Sequence, residues 1–578
     1  MSYFLKKSRN KKGTYLQIYE STYDPERGYG VHRSVRAVGY VHELEAQGIE
    51  DPVAHFGAEV EAMNAEARRE RLGERAREIG DSTPRRWLGH FAVRAIWAGL
   101  GLDADLGLLQ LLSGFRFSVA ELLEDLACAR VVCPCSKSRT FHDVIPLLGG
   151  EPSYSIDQLY DGLAFLGREY KKVIEILNDR IARAYPRDTS RTYFDGTNFY
   201  FEIDREDGLR RKGMSKEHRK DPIVGMGLLL DASCVPLGMD VYAGNESEKP
   251  KLRKVISELK EEGGIDGRTV RVADEGLNCA DNVADAVLAG DGYLFSRSAR
   301  QLPKKEEAWV TSEDGWEDHY GDDGKVHHRT KSVTGDFEYK VTGEDGRKRA
   351  VSLPEKRVVT FNEKLRRKHL HEINRQVEKA RRLRASQAKR SEYGDSAKYV
   401  KFVAVDKEGE TGDDDVVAAT LDHEAIARAK RLAGYNMLVT SERTMPDAEI
   451  YRTYHRLTRI EETFKVMKSQ LEARPVYLQR EDSITGHFLV CYVAVVLVRL
   501  LQIHVLDDRF GSEQVVGFMR GFEVVRVSDR KFVNVAVRTE VGDALRDVTG
   551  LPINLYHLTK AQCDKILSYR FKGTKDAA

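Results

Sequence analysis

Apolar and polar residues change their spacing along the chain, and each change predicts a different kind of element. In the first 50 residues they alternate, which is typical of short strands, in YLQIYES and YGVHRSVRAVGYV. Asp51 to Ile79 is rich in Ala, Glu and Arg and is predicted to be a connecting helix. Residues 1–80 are therefore expected to form an N-terminal region of strands and one connector helix.

Trp87 to Tyr185 has helical spacing throughout, with capping signals at Ser118, Ser138 and Ser155 and breaks at glycines. This pattern predicts a small helical bundle over residues 81–188. Such a bundle could bind DNA, dimerise, or support the domain that follows.

From Arg191 the spacing becomes that of strands, beginning with TYFDGTNFYFEID. Further strands are expected at Ile223 to Leu230, at Pro236 to Tyr242, in TVRVAD and in GYLFS, with helices between the later ones. Strands first and then alternating helices and strands predict a mixed α/β sheet. Its first part is expected over 189–298 and its second part over 436–510, separated by a β-rich and basic insertion over 299–435. The pattern of the C-terminal region, 511–578, predicts no definite fold.

The segment Asp447 to Leu471 carries a helical apolar stripe that includes Leu457, Phe464 and Met467. At about 100° per residue, Glu461 and Lys468 fall inside this stripe. A carboxylate on the packed side of a helix is costly unless a charged group meets it. The pattern therefore favours a partner for Glu461 such as a metal ion.

Length and composition limit the class of protein. The chain has 578 residues, of which 41% are hydrophobic and 32% charged, so several soluble domains are expected. The most apolar run, Phe488 to Val498, is about half of a membrane span and is predicted to be a buried core helix. The N-terminus lacks the apolar region of a secretory signal.

The seven cysteines are odd in number and scattered, which predicts free thiols in a reducing cytoplasm. Cys133 and Cys135, with Cys128 upstream, form the one local cluster. No second pair at finger spacing completes a zinc site, so buried or surface thiols are expected instead.

The net charge of +1 hides local asymmetry. Residues 1–18 hold five Lys or Arg and no acid, and Lys364 to Arg390 holds eleven Lys or Arg against two Glu. We call the latter the basic segment. Such segments suit phosphate backbones, although a charged helix face is more often simply solvated.

Three acids stand where chemistry is expected. Asp195 lies inside a strand, where Asp is disfavoured, and either begins a bend or acts as a ligand. Asp274 ends a strand, where both sites and turns occur in α/β sheets. With Glu461, they could hold two divalent cations, and oxygen ligands favour Mg²⁺ or Mn²⁺. Asp231 and Glu246 are expected to be turn or cap residues.

The chain resembles the DDE transposases of bacterial insertion sequences, in the subgroup whose ribonuclease-H-like core is interrupted by a β-rich insertion. The resemblance covers roughly residues 190–505. One part of it is the spacing of Tyr454, Glu461 and Lys468. The other part is five stretches that follow the family's order: YFDGTNFYFE, KGMSKEHRKDPIVGMGLLLD, GMDVYAGNESEKPKL, VADEGLNCADN and GYLFSRS. The family's signature is Y-x2-R-x3-E-x6-K, and here Leu457 stands at the Arg position.

The resemblance implies a metal-dependent enzyme that cuts transposon ends and joins the freed 3′ ends to target DNA. It implies Asp195, Asp274 and Glu461 as the catalytic ligands of two Mg²⁺ or Mn²⁺ ions. It also implies a homodimer on paired double-stranded DNA ends, a bacterial cytoplasm near the nucleoid, and no membrane. The residues expected at the DNA are Tyr454, Lys468, Arg456, Arg459, Lys364, Arg366, Arg367, Lys368 and Trp316.

Trp309 and Trp316 have two interpretations. Either one stacks on a flipped base during hairpin cleavage, as in related enzymes, or both pack the insertion's own core. For the whole chain, the alternatives are a DNA-binding protein of transposase descent that no longer cuts, and another ribonuclease-H-like nuclease acting on RNA or branched DNA. Carboxylate-based sugar hydrolysis has no support from the basic insertion.

Overall fold

The computed structural model describes residues 2–24, 29–77, 85–216, 220–299, 302–321, 323–343, 345–385, 390–403, 418–528 and 530–573. The chain forms two compact units, Met1–Leu88 with Gly521–Leu567, and Gly89–Arg520 with Ser568–Ala578. These limits lie near two of the predicted boundaries, and the finer division into six segments stays a prediction. Residues 78–79, 217–219, 386–389 and 404–406, which fall within predicted elements or motifs, lie outside the described residues.

The N-terminal region begins with an antiparallel sheet of three strands in the order β1-β2-β3. Leu16 and Ile18 of the middle strand are buried, as the alternating pattern predicts. Its elements are β1 (Ser2–Asn10), β2 (Gly13–Asp24), β3 (Tyr29–Tyr40), α1 (Val41–Ala46), α2 (Pro52–Arg77) and β4 (Arg85–Trp87).

The predicted helical bundle follows. Ser118 and Ser155 cap helices as expected, the second within a reciprocal capping box with Gln158. The prediction for Ser138 is wrong, because Ser136 accepts the capping hydrogen bond, from Arg139 N. The bundle comprises α3 (Phe91–Leu100), α4 (Asp103–Gln110), α5 (Val119–Val132), α6 (Lys137–Arg139), α7 (Ile145–Leu148), α8 (Ile156–Arg168) and α9 (Tyr170–Ala184).

The second unit is built on a mixed sheet of nine strands, in the order β10-β11-β12-β15-β9-β8-β5-β6-β7. Strands β5, β8 and β9 run parallel, and β6 and β7 continue from β5 antiparallel. The first-part elements are β5 (Arg191–Tyr200), β6 (Ile223–Leu230), β7 (Pro236–Ala243), α10 (Lys249–Glu261), β8 (Val270–Ala273), α11 (Ala280–Leu288) and β9 (Gly292–Arg297).

Strands β10, β11 and β12 of the insertion extend this same sheet, whereas β13 and β14 pair with each other in a separate two-stranded sheet. Strand β15 bridges the two parts, because it pairs with β9 on one side and β12 on the other. The elements are α12 (Lys304–Thr311), β10 (Glu317–Tyr320), β11 (Val326–Thr342), β12 (Lys348–Phe361), α13 (Glu363–Ala385), α14 (Arg390–Tyr393), β13 (Val400–Val403), β14 (Ala418–Leu421), α15 (His423–Arg431) and β15 (Tyr435–Thr440).

The predicted core helix is α18 (Glu481–Leu500), which follows α16 (Asp447–His455) and α17 (Thr458–Lys465). Among the described residues, Glu481–Val505 is the one helical segment apolar and long enough to cross a membrane, and 83% of its most apolar stretch is buried inside the protein. This burial is typical of the core helix of a soluble protein.

α18 crosses α8 at two glycines. A Cβ on Gly486 would lie 2.0 Å from Leu163 O, and a Cβ on Gly167 would lie 1.7 Å from Asp482 O. The two backbones therefore meet at a distance that only glycine permits.

Of the C-terminal region, whose pattern predicted no definite fold, Gly521–Leu567 belongs to the first unit. Its strands form a second sheet in the order β18-β17-β16-β4. Trp87 on β4 pairs with Glu523 on β16, and the Trp87 indole N–H donates to the Glu523 carboxylate at 2.9 Å. The elements are α19 (Ser512–Gly521), β16 (Glu523–Ser528), β17 (Lys531–Asn534), α20 (Glu540–Thr549), β18 (His557–Thr559) and α21 (Lys560–Leu567).

Candidate active site

Asp195 and Asp274 lie side by side on neighbouring parallel strands. Phe194 on β5 is in register with Ala273 on β8, so the next residue of each strand is an aspartate. Asp274 caps the short turn that follows β8 by accepting from Gly276 N at 2.9 Å. Two acids 79 positions apart in the chain, 195 and 274, are thereby brought to the same sheet edge.

Asp195 is partly buried and lies close to several charged groups. Burial raises its pKa to about 6, and the negative charges of Asp274 and Glu248 act in the same direction. Lys216 and the Gly196 N–H, which donates to Asp195 Oδ1 at 2.7 Å, oppose this rise. Two carboxylates that disfavour each other's charge at a strand end form a place where a cation is stabilised.

Glu248 and Lys216 belong to this site, although the sequence assigned them no role. The Lys216 ammonium lies 3.7 Å from Asp195 Oδ1 and 3.6 Å from Glu248 Oε1, and it donates to Gly196 O. Both residues stand in stretches that carry the family resemblance. Glu248 is the N-cap residue of α10, but its side chain makes no capping hydrogen bond. Its carboxylate points instead toward Lys216.

Gly196 allows the Glu248 carboxylate to approach Asp195. A Cβ at position 196 would lie 2.8 Å from the Glu248 carboxyl carbon. The pattern Asp-Gly in the middle of a strand therefore makes room for a second acid instead of a bend.

Tyr454 on α16 lies beside the aspartate pair. Burial raises the pKa of its hydroxyl to about 12, and the charges of Asp274 and Glu275 contribute to the rise. Helix α16 also packs against β8 and β9. The first residue of the Tyr, Glu, Lys spacing is thus close to the end of β8, and its contact with DNA stays a prediction.

The segment Asp447 to Leu471 is not one continuous helix. Hydrogen bonds of the i to i−3 type, such as Leu457 N to Tyr454 O at 3.0 Å, separate α16 from α17. A π-helical turn, Val466–Gln470, follows α17. The apolar stripe itself is confirmed, since Leu457, Phe464 and Met467 are buried.

The expectation that Glu461 lies on the packed side is wrong. The tighter turn changes the phase of the helix, so that Ile460, Thr463 and Phe464 face the core and Glu461 is exposed. Its carboxylate makes no hydrogen bond or ion pair with a residue that the structure describes. The desolvation argument for a metal partner therefore does not apply to Glu461.

Lys468 lies on the same face of the sheet as Asp195. Its ammonium is 5.4 Å from the centre of the Phe199 ring, and Phe199 follows Asp195 by four positions on β5. Residues four apart on a strand share a face. Helix α17 packs against β5 as well, so the segment with Glu461 and Lys468 covers the strand that carries Asp195.

Arg456 and Arg459, two of the residues expected at the DNA, are engaged within the protein. Arg456 donates to Ala232 O at 2.9 Å. Arg459 pairs with Glu462 at 3.2 Å and with Asp508. Leu457, at the signature Arg position, is buried and belongs to the core.

The ligands around Asp195 are of the type that a hard cation prefers, but they are fewer than such a cation needs. Asp195 and Asp274 supply carboxylate oxygens from two strands, which is what Mg²⁺ and Mn²⁺ prefer. Across the described ranges, no group of three or more His, Cys, Asp or Glu side chains is arranged to hold a metal ion. The aspartate pair therefore suits a metal ion in ligand type, and among the described residues Glu248, which pairs with Lys216, is a further carboxylate beside Asp195.

Residues 364–385 of the basic segment lie in α13, with Lys364, Arg366, Arg367 and Lys368 in its first turns. Arg366 and Arg367 each lie 3.6 Å from Glu363 and remain 48% and 80% exposed. Pairs of this kind contribute little to stability, so the charges stay available to a ligand.

Trp309 and Trp316 pack against the hydrophobic core beside β12 and β15. The Trp316 indole N–H donates to Ser312 O at 2.9 Å, and the Lys331 ammonium lies 4.6 Å from its ring centre. Both residues therefore pack against the core of the nine-stranded sheet, and stacking of either on a base stays a prediction.

Asp231 and Glu246 are turn residues, as predicted. Asp231 accepts from Ser233 N and Val235 N at 2.9 Å each, and Glu246 accepts from Ala243 N at 3.2 Å. All seven cysteines are free thiols, as the composition predicts.

No family model matches the chain, and no curated protein matches it.

Proposed function

We propose that this protein is a DDE transposase, an enzyme that cuts the ends of an insertion sequence and joins them to target DNA. The observation that carries the proposal is the register of β5 and β8, which sets Asp195 beside Asp274. The mixed sheet, with a parallel trio of strands and an antiparallel pair, supports a ribonuclease-H-like core. The position of Tyr454 beside Asp274 supports the same assignment.

Asp195 and Asp274 are proposed to hold the metal ions, with Glu461 as the third ligand supplied by α17. Bound Mg²⁺ or Mn²⁺ would activate the attacking oxygen and stabilise the leaving oxygen. The side chains of the protein orient the reacting phosphate. Lys468, on the face of Asp195, is suited to contact a DNA phosphate, and Tyr454 positions the strand next to Asp274.

The partner is proposed to be double-stranded DNA, bound along α13 as well as at the site. Lys364, Arg366, Arg367 and Lys368 would neutralise backbone phosphates and release counterions, which gives salt-dependent affinity. A homodimer on paired ends, acting at the bacterial nucleoid, belongs to the same proposal.

Replacing one acid by its amide tests the assignment. Asp195→Asn, Asp274→Asn and Glu461→Gln should each lower Mg²⁺-dependent nicking by more than about 100-fold, because an amide binds a divalent cation poorly. End binding, measured by gel shift, should survive. The substrate is DNA that carries the terminal sequences flanking the gene, and exposed Asp266→Asn is the matched control.

Each outcome assigns the protein to a class. Nicking by all three variants at the parental rate refutes the active site. A parent that binds the ends without cutting them in Mg²⁺ or Mn²⁺ is a DNA-binding protein of transposase descent. A parent that cuts RNA or branched DNA but not transposon ends is another ribonuclease-H-like nuclease. Inverted repeats and target duplications beside the gene are expected.

A further inference from the structure

Three basic side chains meet in the interior of the second unit, away from the aspartate pair. Arg130 on α5, Lys137 at the start of α6 and His487 on α18 are only 6%, 6% and 4% exposed. The Lys137 Nζ lies 3.1 Å from His487 Nδ1, and Arg130 donates to Cys135 O at 3.1 Å. We call these residues the basic cluster.

The hydrogen bonds fix where the protons are. His487 Nε2 lies 3.0 Å from Ala473 O, and a carbonyl oxygen only accepts, so Nε2 carries the proton. Nδ1 is then an acceptor, and Lys137 donates to it. Burial lowers the pKa of His487, and the neighbouring Lys137 and Arg130 act in the same direction, so this neutral form is favoured. The remaining N–H bonds of Lys137 and Arg130 are left for another acceptor.

Among the described residues, no acid balances the charge of the basic cluster. Neither Arg130 nor Lys137 forms an ion pair with any residue in the described part of the chain. Buried arginines elsewhere in the unit do, since Arg271 pairs with Asp291 at 2.8 Å and Arg357 with Glu355 at 2.7 Å. Burial and the charge of Arg130 lower the pKa of Lys137 well below its usual value, and an anion beside both groups would offset that cost by stabilising the charged ammonium.

A small cavity adjoins the cluster and is large enough for one such anion. Its volume is about 50 Å³, several times the roughly 10–15 Å³ that a single water needs. Arg130, Lys137 and His487 line it, and the Ser136 and Tyr477 side chains stand at its exposed rim. Tyr477 is 75% exposed, which leaves its ring available to a group attached to the anion.

We propose that this cavity is a phosphate-binding site, in which Arg130 and Lys137 hold one tetrahedral phosphate group and Tyr477 contacts what the phosphate carries. Lys137 and Arg130 donate to the phosphate oxygens, while His487 orients the Lys137 amine from behind. The phosphate belongs to a nucleic-acid strand if the proposed transposase function holds, and the site then anchors that strand apart from the aspartates. Only this choice of source rests on the proposed function.

Thermal unfolding in phosphate and in chloride at equal ionic strength tests the site. Binding to the folded protein alone should raise the Tm of the parent in phosphate by about 2 °C or more. Lys137→Met should abolish this rise, and exposed Lys172→Met on α9 should retain it. A parent with the same Tm in both salts overturns the proposal, and so does a Lys137→Met variant with an undiminished rise.

A second measurement does not depend on a folded variant. Mild acylation of the parent, followed by peptide mapping, reports the access of a small reagent to individual lysines. Phosphate should slow the labelling of Lys137 at least threefold and leave that of Lys172 unchanged. Equal rates for Lys137 with and without phosphate contradict the proposal.

The source of the phosphate is decided with short single-stranded oligonucleotides in the absence of Mg²⁺. If the strand supplies it, inorganic phosphate competes with the oligonucleotide, and Tyr477→Ser weakens oligonucleotide binding several-fold. If free phosphate is the ligand, neither added inorganic phosphate nor Tyr477→Ser affects oligonucleotide binding. Because this experiment measures binding and not cutting, its result is independent of the nicking test with Asp195→Asn.

Discussion

Lys216 is the residue whose charge decides how the aspartate site receives a metal ion. Its ammonium contacts Asp195, Glu248 and the Gly196 carbonyl, and so occupies a position where a cation is favoured. Two cations close together repel each other, by several kcal/mol at about 4 Å in a partly buried setting. Lys216 therefore competes with a metal ion for the same carboxylates.

Lys216→Met should lower the Mg²⁺ concentration for half-maximal binding by about 3–10-fold, because the repulsion is removed. Titration calorimetry or Mg²⁺-dependent thermal stability measures this. Exposed Lys212→Met, four residues earlier, should leave the Mg²⁺ affinity unchanged. Weaker Mg²⁺ binding by Lys216→Met would instead mean that the ammonium orients the carboxylates.

Single residues show what the sequence can and cannot predict about the site. Asp195 is recognisable because an acid inside a strand is disfavoured, and Asp274 because the end of a strand in an α/β sheet is where sites form. Lys216 and Glu248 break none, and only the folding of distant segments brings them to Asp195. The burial predicted for Glu461 was wrong because ideal helical spacing contains no tightened turn.

At the scale of elements, the crossing of α8 and α18 depends on two glycines. The backbone atoms around Gly486 and Gly167 cannot move away without separating two buried helices. Overpacking of this kind typically costs 1–3 kcal/mol and can cost more.

Gly486→Ala should therefore lower the free energy of unfolding by about 3 kcal/mol or more, measured by urea denaturation. The matched control is Gly107→Ala in α4, where an added Cβ meets no atom within 4 Å. That change should raise stability by about 0.5–1 kcal/mol, because alanine is the better helix former. Equal effects of the two changes would contradict the close crossing.

A stack of aromatic rings joins α16 to β10 and β11. The rings of His319 and His328 have centroids 4.5 Å apart, and those of His328 and Tyr451 are 3.6 Å apart. His327 and His455 also face the stack. Burial and these neighbouring histidines lower the pKa of His328 to about 4.

This stack predicts loss of stability in acid. His328 is protonated near pH 6.5 in the unfolded chain but only near pH 4 in the folded protein. The contribution of His328 to the free energy of unfolding is therefore complete above pH 6.5 and is lost as the pH falls from 6.5 to about 4. Since the ring is half-buried, we expect a loss of about 1–2 kcal/mol. His328→Phe should reduce the slope of unfolding free energy against pH, and exposed His423→Phe should not. An unchanged slope in His328→Phe would place the effect elsewhere.

At the scale of the whole molecule, the central sheet is wider than its sequence pattern predicts. The strands of the core are recognisable because bulky apolar residues repeat in short runs between helices. The insertion is recognisable as β-rich. Its incorporation into the same nine-stranded sheet is not, because pairing of β12 with β15 is a contact between distant segments and leaves no local period. The pairing of β16 with β4 escapes prediction for the same reason.

The basic helix α13 extends from this enlarged sheet, and its charges predict how DNA affinity depends on salt. Replacing Lys364, Arg366, Arg367 and Lys368 by Gln should reduce the slope of log K against log salt by about 0.9 for each phosphate that the protein no longer neutralises. Fluorescence anisotropy over a salt series measures the slope. The matched control replaces the same number of cations at the other end of α13, Lys379, Arg381, Arg382 and Arg384. A slope that changes only in the control would move the DNA-binding surface to that end.

The pairing of β4 with β16 has a consequence for synthesis of the protein. Trp87 and Glu523 are 436 positions apart, and the sheet that joins them is incomplete until both have left the ribosome. At about 5–20 residues per second, that interval lasts on the order of 20–90 s. During this time β4 lacks its neighbouring strand, so a message truncated before Glu523 yields a first unit that cannot close.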